Sequence, residues 1–216
     1  MPARIAALAV ALGAASFVAN AQAPCEPCTQ ARSLRAEGKS KEAAALLKKA
    51  GKEFKDSAEL QGLVVMCALD LDKPKDAGAA LLKFLGSQPS SAQLAEVREV
   101  VAEAARPPSR NVRMQAPEGA QPPIVVVFSG ASYPRDAAEF GIERTVILDA
   151  IIAEDGTAKR IELRADANGN WVDTQQLGFE EAAVSALKRW RFFPALVDGR
   201  PVESNLTVIG IFQMIE

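Results

Sequence analysis

The clearest structural signal in this chain lies at residues 144–164, RTVILDAIIAEDGTAKRIELR. Its first part, from Arg144 to Ala153, is rich in Thr, Val, Ile and Leu, which favour strands. The run Glu154-Asp155-Gly156-Thr157 supplies a turn, with glycine where a positive φ is useful. Residues 158–164 return as a second strand, so the segment predicts an antiparallel hairpin.

Further elements flank this hairpin. Residues 124–128 form a short apolar run typical of a buried strand, and a polar loop is expected at 166–177. An amphipathic stripe then predicts a helix. Its members are Phe179, Ala183, Ala186, Leu187 and Trp190. Pro194 ends that helix, and residues 204–213 alternate as a last strand. The predicted fold class is α+β, with a C-terminal β-β-α-β domain and a three-stranded antiparallel sheet.

The first half of the chain is helical and internally repeated. Apolar residues in 28–105 recur at helical spacing, and a shift of 34 residues places Ala43 on Ala77 and Leu47 on Leu81. That period is the one that tetratricopeptide repeats use for their helical hairpins. We therefore expect an N-terminal tetratricopeptide-like domain at 28–105. It would offer a concave peptide-binding surface, or act as a spacer or dimerisation module.

Proline marks the boundary between the two halves. The segment 106–123 holds five prolines, in Arg106-Pro107-Pro108-Ser109 and in the run from Ala116 to Pro123. Proline fixes φ and removes a backbone donor. We therefore expect a Pro-rich linker at 106–123 without a packed element, followed by the second domain at 124–216.

The first residues have the pattern of a secretory signal. The apolar run at 5–19 is shorter than the roughly 20 residues that span a bilayer. Cleavage motifs of A-x-A type end at Ala21 and at Ala23, and the first is preferred because Pro24 follows the second. We therefore expect a cleaved signal peptide at 1–21 and a periplasmic protein, with an inner-membrane anchor as the alternative.

Three cysteines raise the question of disulfide chemistry, which an exported protein permits. Cys25-Glu26-Pro27-Cys28 has the spacing of a redox motif, but such motifs normally begin a helix in a βαβ setting, which the surrounding pattern lacks. The alternatives are a local disulfide between Cys25 and Cys28, or a bridge from one of them to Cys67. Disulfide exchange with a substrate stays the weakest of the functional hypotheses.

Composition excludes several classes of function. Histidine is absent, which removes the commonest general base and metal ligand. The formal charge is −2, with 25 basic and 27 acidic residues, and no basic stripe suits a nucleic acid. The sequence holds no nucleotide-binding or metal-ligand motif. We therefore expect a protein without enzymatic activity, cofactor, metal or nucleic-acid partner.

A series of short motifs runs through about the last 85 residues. In chain order they are Tyr133-Pro134, Gly141-Ile142, Thr145-Val146-Ile147-Leu148, Asp155-Gly156, Ala186-Leu187-Lys188-Arg189-Trp190-Arg191-Phe192, Pro194-Ala195 and Asp198-Gly199-Arg200-Pro201-Val202, before a strand ending near Phe212. In this order and spacing they resemble the TonB C-terminal domain family of energy transducers. Arg144 departs from the glycine that the family often has there. The sequence also lacks a retained membrane anchor and a long Pro-rich arm, so the resemblance implies the binding domain rather than energy coupling.

The resemblance implies a way of binding partners. TonB-like domains capture a receptor peptide as an added strand, in which main-chain hydrogen bonds give affinity. The terminal strand is expected at an open edge of the sheet. The predicted partner-binding residues are Ser204, Asn205, Leu206, Thr207, Val208, Ile209, Gly210 and Ile211, with Tyr133 and Pro134 as second candidates. Of these, Thr207, Ile209 and Ile211 are expected on the second face of the terminal strand.

The expected partners are segments of envelope or outer-membrane proteins, TonB-dependent receptors among them, which would link the chain to TonB-dependent transport. Homodimerisation through the same edge competes with this hypothesis. A further alternative makes the helical repeats the working surface of a scaffold protein in which the C-terminal domain dimerises.

Overall fold

The computed structural model describes residues 25–105, 109–164 and 177–214. The predicted signal peptide at 1–21 and nearly all of the predicted loop at 166–177 lie outside these ranges. None of the helices within them combines the length and apolarity that crossing a bilayer requires.

The first half consists of five helices. They are α1 (Glu26–Ala36), α2 (Ser40–Ala50), α3 (Ala58–Asp70), α4 (Pro74–Gly86) and α5 (Ser91–Ala104). The starts of α2 and α4 lie 34 residues apart, which agrees with the sequence repeat. A capping box at Ser90 and Gln93 begins α5, since each side chain accepts a hydrogen bond from the other residue's backbone N–H. The helices bury Leu47, Leu81 and Phe84 completely. The tetratricopeptide classification of these hairpins stays a prediction.

The second half contains eight strands and two helices in its described part. They are β1 (Val112–Gln115), β2 (Ile124–Val127), α6 (Arg135–Glu139), β3 (Arg144–Ile152), β4 (Ala158–Leu163), α7 (Phe179–Lys188), β5 (Arg191–Phe193), β6 (Ala195–Val197), β7 (Arg200–Val202) and β8 (Ser204–Phe212). The main sheet is antiparallel, in the order β1-β8-β3-β4. The predicted α+β class, the hairpin and the last strand are confirmed. The predicted helix begins at Phe179, but it ends at Lys188 rather than at Pro194, because residues 191–193 form β5.

Two short ribbons accompany the main sheet. β2 pairs with β5, and β6 pairs with β7. The predicted strand at 124–128 therefore exists as β2, but its partner is the segment after α7 rather than the main sheet. Asp198 and Gly199 form the β6–β7 turn, and both have positive φ.

The expectation that residues 106–123 hold no packed element is wrong. Residues 112–115 form β1, which joins the main sheet as a fourth strand beside β8. The prolines flank this short segment without interrupting it, so its backbone donors remain available. Val112 and Met114 pack against the core while Arg113 and Gln115 are exposed. This two-residue alternation is the sequence signal of the strand, and it is weak because it covers only four residues.

The helical half and the β half share one hydrophobic core. Phe193 and Leu196 belong to the same buried cluster as the helix residues, and Ile124 packs against that cluster. The Arg98 guanidinium lies 5.7 Å above the Phe193 ring and donates a hydrogen bond to Pro122 O at 2.7 Å. The two halves therefore pack as one body instead of hanging on a free linker.

The three cysteines lie in the helical half and belong to its buried cluster. Cys25 and Cys28 form a disulfide at the start of α1, and Cys67 is a buried free thiol. Burial and the negative charge of Asp70 together raise the pKa of Cys67 to about 11, against the opposing effect of Arg35. At neutral pH this thiol is protonated and is not a nucleophile.

Candidate functional site

The strand β8 lies between β3 and β1, and its side chains alternate between the two faces of the sheet. The face toward α7 receives Leu206, Val208 and Phe212, which belong to or pack against a buried cluster that also contains residues of α7 and β3. On the opposite face, Ile209 is half-buried and Ile211 is 49% exposed. The predicted second face of β8 is therefore where the sequence placed it.

The main-chain groups of β8 alternate as well. The N–H of Ile209 donates to Asn111 O at 2.8 Å, so the odd-numbered residues direct their main-chain groups toward β1. Even-numbered residues such as Val208, opposite Leu148, direct theirs toward β3. An added strand could therefore bond only to odd-numbered residues, Thr207, Ile209 and Ile211 among them.

The predicted open edge at Ser204–Gln213 is wrong over its first part. β1 pairs with β8 from Asn205 to Val208, and Asn111 extends the pairing to Ile209. The chain's own connecting segment covers the edge because its apolar and polar residues alternate with the period of a strand. Beside residues 210–212 on that side, the described part of the chain places no strand.

The other edge of the sheet is formed by β4 and is poorly suited to strand addition. The pairing with β3 is interrupted by a bulge, at which Arg160 has a φ of +48°. Lys159, Arg160 and Glu162 are exposed along this strand. Bulges and charged side chains are the means by which sheet edges avoid pairing with other chains. The β8 side is thus the better candidate.

A polar cluster lies next to the β8 edge, on the face of the sheet that is turned away from α7. Asp149 accepts two hydrogen bonds of 2.6 Å from the Arg164 guanidinium and one of 2.7 Å from the Thr207 hydroxyl. Burial acts to raise the pKa of Asp149, but the hydrogen bonds from Arg164 and Thr207 and the charge of Arg164 together lower it. The cluster thus links the Thr207 side chain of β8 to Asp149 of β3.

A lowered pKa for Asp149 makes the stability of the sheet pH-dependent. The stabilisation by its carboxylate is present above the pKa of an unfolded aspartate and is lost as the pH falls through the lowered folded pKa. We expect the melting temperature of Asp149→Asn to lie a few degrees below wild type at pH 7 and to converge with it toward pH 2. Differential scanning calorimetry measures this. A difference that stays constant across the range would contradict the linkage.

Tyr133 and Pro134, the second candidates for partner binding, make contacts within the chain, and their part in binding stays a prediction. The Tyr133 hydroxyl donates to Ile142 O at 2.7 Å, and its ring makes edge contacts with Phe179 and Phe212, each with 5.8 Å between centroids. Pro134 precedes α6 as its N-cap. Tyr133 thus holds the core beneath the end of β8, which is a supporting role.

The helical half has a groove of its own, with a cavity of about 650 Å³. It is lined by Arg32, Arg35, Ala36, Gly38, Ser40, Leu63, Asp70 and Glu96. Both arginines are paired within the chain, Arg32 with Glu59 and Glu96 and Arg35 with Asp70. These pairs neutralise the charges that could otherwise recognise a partner.

Within the described ranges, no group of three or more His, Cys, Asp or Glu residues could hold a metal ion. Trp190 is buried and its indole N–H donates to Ser129 O at 2.8 Å, so it belongs to the core as expected. What the arrangement offers is a sheet edge that a four-residue strand covers over part of its length.

Comparison with known proteins gives three findings. The family model described as the Gram-negative bacterial TonB protein C-terminal matches residues 129–214. A curated relative, Protein TonB of Vibrio cholerae serotype O1, is 30% identical over 94 residues, which are 41% of this chain and 33% of the relative. The chain therefore spans about a third of that relative's length. The solution NMR structure of the Pseudomonas aeruginosa TonB CTD is 20% identical with a TM-score of 0.35, covering 50% of this chain and 91% of that one.

Proposed function

We propose that this chain, whose residues 129–214 match the family model of the TonB C-terminal domain, binds an extended segment of an envelope protein along the β8 edge, in exchange for β1. The observation that carries the proposal is the difference between the two edges of the sheet. β8 is nine residues long and is covered by a strand of four, whereas β4 is bulged and charged. An added strand gains main-chain hydrogen bonds that do not depend on the partner's sequence.

The class of partner follows from the domain. Envelope receptors are the proteins with which TonB domains interact, so an outer-membrane receptor segment is the partner we propose, with TonB-dependent transport as the setting. The role is non-enzymatic and periplasmic. The segment would run antiparallel to β8, as β1 does, and would bond to Thr207, Ile209 and Ile211.

The experiment uses proline on β8. Ile209→Pro removes the N–H that points away from β3, so the ladder between β3 and β8 keeps its bonds. We expect partner binding to weaken at least about tenfold through the lost hydrogen bond and the clash of the ring. Ile209→Val is the matched control, since it keeps both the N–H and the branched side chain. Proline at Val208 is less informative because that residue bonds to β3.

Photocrosslinking reads out the binding. A benzoylphenylalanine at Ile211 reports on the β8 edge, one at Lys159 on the β4 edge and one at Ala36 on the helical groove. We expect crosslinks from Ile211 to one segment of an outer-membrane protein, lost in Ile209→Pro and kept in Ile209→Val. Crosslinks to a partner only from Ala36 would instead support the helical scaffold, and crosslinks only from Lys159 would contradict the choice of edge.

A further inference from the structure

We infer that β1 is an internal ligand of the β8 edge and that its residues specify the external segment that replaces it. The inference rests on the proposed function, because it identifies the partner of the same edge. It names that partner by chemistry. The partner is an extended polypeptide with two apolar side chains two residues apart, a polar residue between them and a free backbone N–H at that polar residue.

The backbone of β1 occupies the positions that an added strand would take. Arg113 lies opposite Thr207, Gln115 opposite Asn205, and Asn111 accepts from Ile209. These are the residue pairs whose main-chain groups face each other across the ladder. Proline in place of Arg113 would therefore remove a bond to β8, whereas the N–H of Met114 points away from it.

The side chains of β1 supply the specificity. Val112 and Met114 lie opposite Val208 and Leu206, and both are half-buried against the core. Arg113 is exposed on the other face. A replacing segment must fill the same two places with apolar groups, since leaving them empty would expose the buried Leu206.

The way β1 is attached allows it to leave without unfolding the protein. Before it, α5 ends at Ala104; after it, Gln121 pairs with Leu196 through hydrogen bonds of 2.8 and 3.1 Å. Between these anchors β1 is a four-residue strand within a short connection. Detachment breaks the few bonds to β8 and exposes two half-buried side chains, and it leaves the core at Phe193 intact.

An incoming segment has a place to begin. Ile211 is 49% exposed, and its main-chain groups face the side of β8 where the pairing with β1, which begins at Val112 opposite Val208, does not reach. A segment that pairs there can extend toward Thr207 as β1 withdraws. Exchange of one strand for another keeps the number of main-chain bonds, so the side chains and the local concentrations decide which strand occupies the edge.

Competition by a tethered strand has a predictable size. A strand on a short connection acts at an effective concentration on the order of 1 mM. With an intrinsic dissociation constant of about 0.1 mM, β1 would occupy the edge about ten elevenths of the time and weaken an external segment about tenfold. Removing β1 from the edge should therefore strengthen binding by about tenfold.

The test uses the chain's own segment as the probe. A fluorescein-labelled peptide of residues 109–117 (SRNVRMQAP) is titrated into the full-length chain by fluorescence anisotropy. We expect Arg113→Pro to bind it about tenfold more tightly than Arg113→Ala, which keeps the N–H and should match wild type. Aspartate at the Met114 position of the peptide should abolish binding. Equal affinity of the two Arg113 variants, both folded by circular dichroism, would overturn the inference.

A second variant shifts the equilibrium in the opposite direction. Val112 and Val208 face each other as a non-hydrogen-bonded pair of the antiparallel ladder. The Cα atoms of such pairs lie about 4.5 Å apart, a distance that a disulfide can span. We expect oxidised Val112→Cys/Val208→Cys to lose probe binding and the reduced form to regain it, with reduced wild type as the control for the Cys25–Cys28 bond. Full binding to the locked form would show that β1 does not compete for the edge.

The two proposals can fail separately. Tighter probe binding by Arg113→Pro, without an envelope crosslink from Ile211, would leave the internal ligand standing and remove the receptor partner. Envelope crosslinks from Ile211 whose yield is the same in Arg113→Pro and Arg113→Ala would keep partner binding at the β8 edge and remove the competition by β1.

Discussion

Gly78→Leu is expected to destabilise the protein by about 3 kcal/mol, seen as a fall of about 10 °C in melting temperature. Gly78 lies in α4 where the helical half meets the β half, and a Cβ at this position would overlap Val127 Cγ2 and approach Arg191 Cγ to 3.1 Å. Val127 is buried and branched at Cβ, so it has little freedom to move aside. The added side chain therefore forces the two halves apart.

The same helix supplies the control for this substitution. Gly86 ends α4, and a Cβ there would meet nothing within 4 Å. Gly86→Ala should leave the melting temperature unchanged or raise it slightly, because alanine has the higher helix propensity. Thermal denaturation followed by circular dichroism compares the two variants. If Gly78→Leu melts like Gly86→Ala, the close contact between α4 and β2 is not present in solution.

Phe193→Ala is expected to cost about 4 kcal/mol, the largest effect of any single truncation at the junction. Phe193 is fully buried among helix residues although it belongs to β5, and Arg98 lies over its ring. Truncation leaves a cavity shared by both halves and removes the partner of the Arg98 cation. We therefore expect both halves of the variant to unfold together, at a lower temperature and at a lower urea concentration than in wild type.

Phe140→Ala is the matched control, since the Phe140 side chain is 74% exposed and its removal should change stability by less than about 0.5 kcal/mol. Helical content and tryptophan fluorescence report on the two halves during the same urea titration. A helical signal in Phe193→Ala that holds after the fluorescence transition would mean that the halves fold independently. In that case, deletion of residues 28–105 would test the helical-scaffold hypothesis without unfolding the β half. If the halves share a core, the deletion would destabilise the β half as well.

The sequence determined the local elements of this protein. The hairpin at 144–164, the amphipathic helix from Phe179 and the last strand each bury a continuous apolar face, and the period of that face is readable in a single segment. The 34-residue repeat located the helices of the first half in the same way. Alternation along β8 also predicted its outward face at Thr207, Ile209 and Ile211.

The tertiary structure alone decided which elements meet. Pairing of β1 with β8 joins residues almost a hundred positions apart, and the four residues of β1 carry too weak a pattern to outweigh the prolines around them. No hydrophobic period in the sequence predicts the burial of Phe193 among the helices either, because the short ribbons contribute only single side chains to the core between the two halves. Local periodicity records which face of a segment is buried, whereas the partner that covers it is set by the packing of the whole chain.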